Sequence, residues 1–132
     1  MIVVDTSALV TVFLREREFE RYLHCMAENG SPWVPVCCYL EFCLLRPLGE
    51  TRREWIDRLL SDRSISIAAL EPQHGPIAAD AASIYGKRSG HPAQLNFGDC
   101  LTYAVAKDRD LPLLFTGRDF HHTDIRPAIE MG

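Results

Sequence analysis

The chain has 132 residues, 47% of them apolar and 24% charged, a balance at which one core forms without disulfides or a structural metal, so residues 1–132 read as a single domain. Its 14 basic residues against 18 acidic ones give a net charge of −4, which excludes a protein that grips nucleic acid by bulk electrostatics. The longest stretch free of charged side chains, Asn29 to Leu40, holds two prolines and excludes a membrane-spanning helix; with no basic segment ahead of the first apolar run, no signal peptide is expected and the expected compartment is the cytoplasm.

Ile2-Val3-Val4 is a β-branched run that ends at the polar cluster Asp5-Thr6-Ser7, so it reads as a buried parallel strand feeding a helix over residues 8–14. A second helix is expected over 16–29, with Phe19, Tyr22, Leu23 and Met26 at helical spacing and Gly30 ending it. Residues 32–35 fit a short strand, and 36–48 a helix that Pro47 and Gly49 terminate. Residues 51–60 form an amphipathic helix, 64–70 alternate like a strand, and 72–87 are helical with Ile77, Ala81, Ile84 and Tyr85 on one face. A turn-rich loop over 89–97 precedes a helix over 98–109. A compact strand over 111–115, a turn over 116–120 and a last extended segment near Ile125 complete the chain.

Strands that alternate with helices predict an α/β fold with a mostly parallel central sheet. Ligands of such sheets bind beyond the carboxyl ends of the strands. Asp5 stands directly after the first strand, and Thr116 to Asp119 directly after the last. Asp99 opens a helix, and Glu41 is the only charge in the apolar run from Val36 to Leu45. Each has a plainer reading: Asp5 as a helix cap, Asp99 as a partner of the helix dipole, Glu41 paired to an arginine, Asp119 in a turn. Together, carboxylates converging on one cleft repel each other and call for a cation. Oxygen donors suit Mg²⁺, with Mn²⁺ as a substitute, the machinery of phosphodiester hydrolysis. The five cysteines, Cys25, Cys37, Cys38, Cys43 and Cys100, form no C-x-x-C pair and read as reduced, mostly buried hydrophobes.

The opening run from Met1 to Leu9 resembles the start of PIN-domain proteins. The segments from Gly90 to Cys100, and from Leu113 to Phe120 with Thr123-Asp124-Ile125, are similar to those of one branch of that family, the VapC-type toxins of bacterial toxin–antitoxin modules. The resemblance implies a three-layer α/β/α sandwich with a sheet of four to five strands. It further implies a Mg²⁺-dependent endoribonuclease that cuts tRNA, rRNA or mRNA and halts translation until a cognate VapB-type antitoxin neutralises it. Asp5 and Asp99 match the family's metal ligands and Glu41 its second acid; toxins of this kind pair as homodimers and as hetero-oligomers with the antitoxin. Relatives often read Gly-Asp-Asp-Phe or Gly-Asn-Asp-Phe where this chain reads Gly117-Arg118-Asp119-Phe120. Asp119 is then the candidate fourth acid, Arg118 a phosphate contact, and Thr6 and Thr116 supporting hydroxyls on the substrate side.

RNA contact must use local cations, and the candidates are Arg15, Arg17, Arg46, Arg52, Arg53, Lys87, Arg88 and His91. A groove between the helices over 16–29 and 36–48 is the expected seat of an antitoxin helix. The alternatives are a PIN-like module that binds without cutting, and a receiver-like phospho-acceptor, which the absence of an acidic pair after the first strand and of a Lys after the last argues against. His121-His122 reads as a surface turn.

Overall fold

The computed structural model describes residues 1–45 and 50–130. In chain order the elements are β1 (Val3–Val4), α1 (Thr6–Phe13), α2 (Phe19–Glu28), β2 (Trp33–Pro35), α3 (Val36–Leu44), α4 (Glu50–Asp62), β3 (Ser66–Ala68), α5 (His74–Tyr85), α6 (Phe97–Arg109) and β4 (Leu113–Leu114). A single turn of 3₁₀ helix over Phe120–His122 follows. Each expected helix and strand is present, with ends that match or shift by up to three residues, except that the helix expected over 36–48 ends at Leu44. The expected end of α3 at Pro47 and Gly49, and Arg46 of the basic cluster, lie outside the described residues.

Four strands pair in the order β3-β2-β1-β4, all parallel. The segment beyond the 3₁₀ turn adds a parallel bridge, Leu113 to Pro127, which is the extended stretch expected near Ile125. Successive residues of a strand face opposite ways, and here they sort into two cores. Ile2, Val4, Val34 and Leu114 pack with α1, α2, α3 and α4. Val3, Ala68, Leu113 and Phe115 pack with α5 and α6. Two helical layers thus sandwich the sheet, as expected.

The strand order places the site. The chain runs from β1 outward through β2 to β3, then returns to lay β4 on the other flank of β1. Such a reversal leaves a crevice beyond the carboxyl ends of the two strands between which it falls, here β1 and β4. Residues 5 and 116–119 open onto it.

Arg52 corrects an expectation. It is buried, with its guanidinium 4.7 Å from the ring centre of Phe13 and 5.3 Å from that of Phe42. It therefore joins an aromatic cluster, in which Phe42 meets Phe13 edge-on at 5.5 Å and Trp55 at 5.4 Å, and is no cation for RNA. Phe42 has no exposed surface. Phe42→Ala is expected to cost about 3–5 kcal/mol, read as a drop in the denaturant midpoint at constant slope.

Candidate active site

Asp5 leaves β1 with its backbone N–H bonded to the Leu114 carbonyl of β4 at 2.9 Å. It caps α1 from an extended conformation: its Oδ2 accepts the Ser7 N–H at 3.0 Å and the Ser7 hydroxyl at 2.6 Å. Ser7 Oγ in turn accepts the Thr116 N–H at 3.0 Å, so one hydroxyl ties the end of β4 to the carboxylate at the end of β1. From α3, the Cys38 thiol lies 3.8 Å from Asp5 Oδ1 and 3.1 Å from the Thr102 hydroxyl of α6. The carboxylate is held on both oxygens and is only 5% exposed.

Asp99 is fixed by a reciprocal cap at the start of α6. Its N–H donates to Asn96 Oδ1 at 2.8 Å, and its own Oδ2 accepts the Asn96 N–H at 3.1 Å. This is the capping-box arrangement, which satisfies two helix-end donors at once. Glu41 comes from the middle of α3, which packs against α6. A Cβ built on Gly98 would stand 2.9 Å from Glu41 Oε2, so the glycine is what lets this carboxylate approach the first turn of α6. Gly117, at φ +84°, makes the turn after β4 in a conformation that favours glycine. Arg118 and Asp119 beyond it are exposed.

Electrostatics links the four acids. Burial is the main cause that pushes the Asp5 carboxyl up from its ordinary range, against the pull of the Ser7 hydrogen bonds, and the charge of Glu41 adds to it. Asp99 is pushed up to about 6, first by burial and then by the charges of Asp5, Asp119 and Glu41, with its Asn96 hydrogen bond opposing. Among the described residues none of the four forms an ion pair. Nor do any three His, Cys, Asp or Glu side chains there make a closed set of metal ligands. The caps hold Asp5 toward Ser7 and Asp99 toward Asn96 and leave an open cluster. Its donors are carboxylate oxygens with unbalanced charge, which is the chemistry a hard divalent cation requires. The residues fit such an ion if few of them bind directly and water completes the shell.

Other candidates fall elsewhere. Thr6 is buried and its hydroxyl donates to the Cys38 carbonyl at 3.5 Å, which makes it a brace between α1 and α3 beside Asp5. Thr116 contributes through its backbone N–H. His91 accepts the Ala93 N–H at Nδ1 and meets Tyr85 edge-on, so it organises its own loop. Arg53 pairs with Asp57, and Tyr39 also donates to Asp57. Lys87, Arg88 and Arg118 stay exposed.

Two grooves flank α6. Among the described residues one of about 340 Å³ runs between α3 and α6, lined by Leu40, Glu41, Leu44 and Phe97 among others. A larger one of about 760 Å³ runs between α5 and α6. In the layer that holds α2 and α3, α1 packs against both helices.

Ser7, Asn96, Cys38 and Gly98 position the acids and were not singled out for that from the sequence. Asn96 carried a signal, standing three residues before an acid at a helix start. So did Ser7, two residues beyond a capping Asp. Cys38 and Gly98 carried none, since their roles depend on the packing of α3 on α6.

Comparison with known proteins agrees with this geometry. The family model described as PIN domain matches residues 2–126. Ribonuclease VapC42 of Mycobacterium tuberculosis is 40% identical over 129 residues, covering 96% of this chain and 98% of the relative. Ribonuclease VapC28 of the same organism is 32% identical, covering 97% and 98%. A toxin–antitoxin complex from Klebsiella pneumoniae contains a chain of the same fold, with a TM-score of 0.72 at 17% identity, covering 99% of this chain and all of that one. The parallel sheet, the acids at its carboxyl edge and these full-length matches together assign the chain to the PIN domain family, on its VapC branch.

Proposed function

We propose that this protein is a metal-dependent endoribonuclease, the toxin of a toxin–antitoxin module, which hydrolyses phosphodiester bonds in tRNA, rRNA or mRNA in the cytoplasm and so inhibits translation. The observation that carries this reading is the cluster of mutually repelling carboxylates at the β1–β4 crevice, in a chain whose full-length relatives are named ribonucleases. Asp5 and Asp99 would hold a Mg²⁺ ion, or Mn²⁺ in its place. When bound, the ion supplies an activated water and offsets charge on the phosphate. Glu41 and Asp119 take the outer positions, where a carboxylate oxygen orients the attacking water and accepts its proton. Arg118, exposed beside Asp119, would meet a phosphate oxygen of the RNA.

The acidic cluster weakens RNA binding while its charge is not offset, so metal loading tightens a contact that local cations elsewhere on the surface already support. The partner we propose is a VapB-type antitoxin, with assembly as a toxin dimer and a toxin–antitoxin hetero-oligomer. The exposed Leu40 and Leu44 on α3, on either side of Glu41 in sequence, are an apolar seat for such a segment. A second reading, a PIN-like module that binds RNA without cutting it, draws on Arg118 standing where relatives often have an acid.

Incubating the purified protein with total RNA separates the two. The enzyme reading predicts discrete cleavage with Mg²⁺ and none with EDTA. RNA that is bound but intact under both conditions contradicts it.

Gly98→Ala offers a finer test. The new methyl crowds the tip of Glu41, a flexible end that can swing away, and otherwise meets Asn96 Oδ1 at an ordinary 3.6 Å, while Ala is the better helix former. Activity is expected to fall at least ~10-fold, on the scale of losing a positioned acid or base, while the melting temperature holds or rises.

A further inference from the structure

Phe97, the first residue of α6, is 83% exposed, more than any other large apolar side chain described. Among the described residues no aromatic ring or cation packs on it. It is the ridge between the two grooves that flank α6. On one side lie Glu41 and Gly98; on the other lie Lys87 and Arg88. The ring therefore stands between the acids of the proposed active site and two exposed cations.

The backbone that carries the two cations is held in place. Lys87 N–H bonds to the Leu95 carbonyl at 3.2 Å, and Leu95 N–H to the Tyr85 carbonyl at 2.8 Å, which closes the base of the loop next to the start of α6. Inside it, the Ser89 hydroxyl donates to the Gly86 carbonyl, His91 N–H donates to Ser89 Oγ, and Gln94 donates to the His91 carbonyl. The floor of the adjoining groove is small and apolar: Gly75, Ala78, Ala79 and Ala82.

We propose that Phe97 is a stacking platform for an unpaired base of the RNA, with the neighbouring phosphates on Lys87 and Arg88. The proposal rests on the ribonuclease reading and adds a substrate subsite to it. An acidic protein gains little RNA affinity from net charge, so contact must combine a local basic pair with a non-ionic surface. Bases of unpaired RNA present flat faces that stack on aromatic rings regardless of sequence. Cations at one end of the path and phosphate-cleaving acids at the other match a strand that crosses the ring between them. An apolar protein segment would use the ring and leave Lys87 and Arg88 without partners. Phe97 and Asp99, two residues apart on a helix, project from different faces, so the stacked base belongs to a nucleotide beside the scissile one.

The test uses the intact protein in EDTA, where RNA binds but is not cut, with a short single-stranded oligoadenylate as the probe. Phe97→Leu keeps an apolar side chain and removes the ring; it is expected to weaken binding roughly 5- to 150-fold, the range for loss of one base stack. Phe97→Tyr and Phe97→Trp should restore affinity, and the Phe97→Trp fluorescence, measured as the difference from wild type because Trp33 and Trp55 also emit, should quench on addition of the probe. With Mg²⁺, Phe97→Leu should raise KM and leave kcat near wild type. Double-stranded RNA of equal length should show no dependence on the ring. Equal affinity of wild type and Phe97→Leu, while the wild type still cleaves RNA, overturns the stack and leaves the nuclease reading intact. A wild type that neither binds nor cleaves overturns both. If Phe97→Leu leaves RNA affinity unchanged but shifts a dimer to monomer in sedimentation, the ring serves a protein interface and the proposal fails.

Discussion

Asp5→Asn should abolish RNA cleavage, by at least ~10²-fold, and at the same time raise the melting temperature of the metal-free protein. The two effects have one cause. Asp5 is buried beside other acids, so its charged form is disfavoured in the folded state. A carboxyl raised in this way contributes most stability while protonated, and that contribution is lost as pH rises through its folded-state value. At neutral pH the wild type carries the cost and Asn does not. The amide oxygen can still accept both Ser7 donors, so the cap on α1 survives. Asp5→Ala lacks that oxygen and is expected to lose ~1 kcal/mol through the cap, which is why Asn is the informative variant. Loss of activity with a large loss of stability in Asp5→Asn would instead mark a structural role.

The second large effect concerns pH and metal together. Asp99 is pushed up to about 6, so its ionisation destabilises the metal-free fold as pH rises from about 4 to above 6. A shift of this size corresponds to a ceiling of ~3 kcal/mol; since Asp99 is only partly buried, solvent screening brings it to ~1–2 kcal/mol. Chemical denaturation of wild type and Asp99→Asn between pH 4 and 8 should show the variant gaining stability relative to wild type as pH increases. Magnesium should reverse the order. At a hundredfold excess over Kd, binding to the folded state alone adds about 2.7 kcal/mol, on the order of 10 °C in melting temperature for a domain of this size. The Mg²⁺ shift should fade below pH 6, where protons compete for the same oxygens, and vanish in Asp5→Asn/Asp99→Asn. An equal shift in the double variant would place the ion elsewhere.

Much of this site was legible in the sequence because each acid violates a local pattern. Asp5 interrupts a β-branched run, Glu41 is alone in an apolar helix, and Asp99 opens a helix after a turn-rich loop. The plainer readings of two of them also hold: Asp5 caps α1, and Asp99 lies in the first turn of α6, where its charge meets the helix dipole and its carboxylate completes the Asn96 capping box. The cap fixes the side chain, and the strand order decides what it faces. The three-layer arrangement was legible from strand–helix alternation, since a two-residue strand such as β1 still shows its period through Ile2 and Val4 on one face and Val3 on the other.

What the sequence left hidden depends on which helices touch. Arg52 looked like a surface cation, yet it falls on the face of Trp55, Ile56 and Leu59 by helical spacing, and the structure buries it among rings. The position was readable from that spacing; the residue type, which is mostly exposed, pointed to solvent instead. Gly98 and Cys38 matter only because α3 lies against α6, a contact no local pattern encodes.

The most direct measurement of the central claim is the anomalous difference density of crystals grown with Mn²⁺. This account predicts one dominant peak beyond the carboxyl ends of β1 and β4, in contact with Asp5 and Asp99 and within water reach of Glu41 or Asp119. Strong manganese density elsewhere on the molecule, with those four carboxylates bearing none at saturating Mn²⁺ and pH 8, would contradict it.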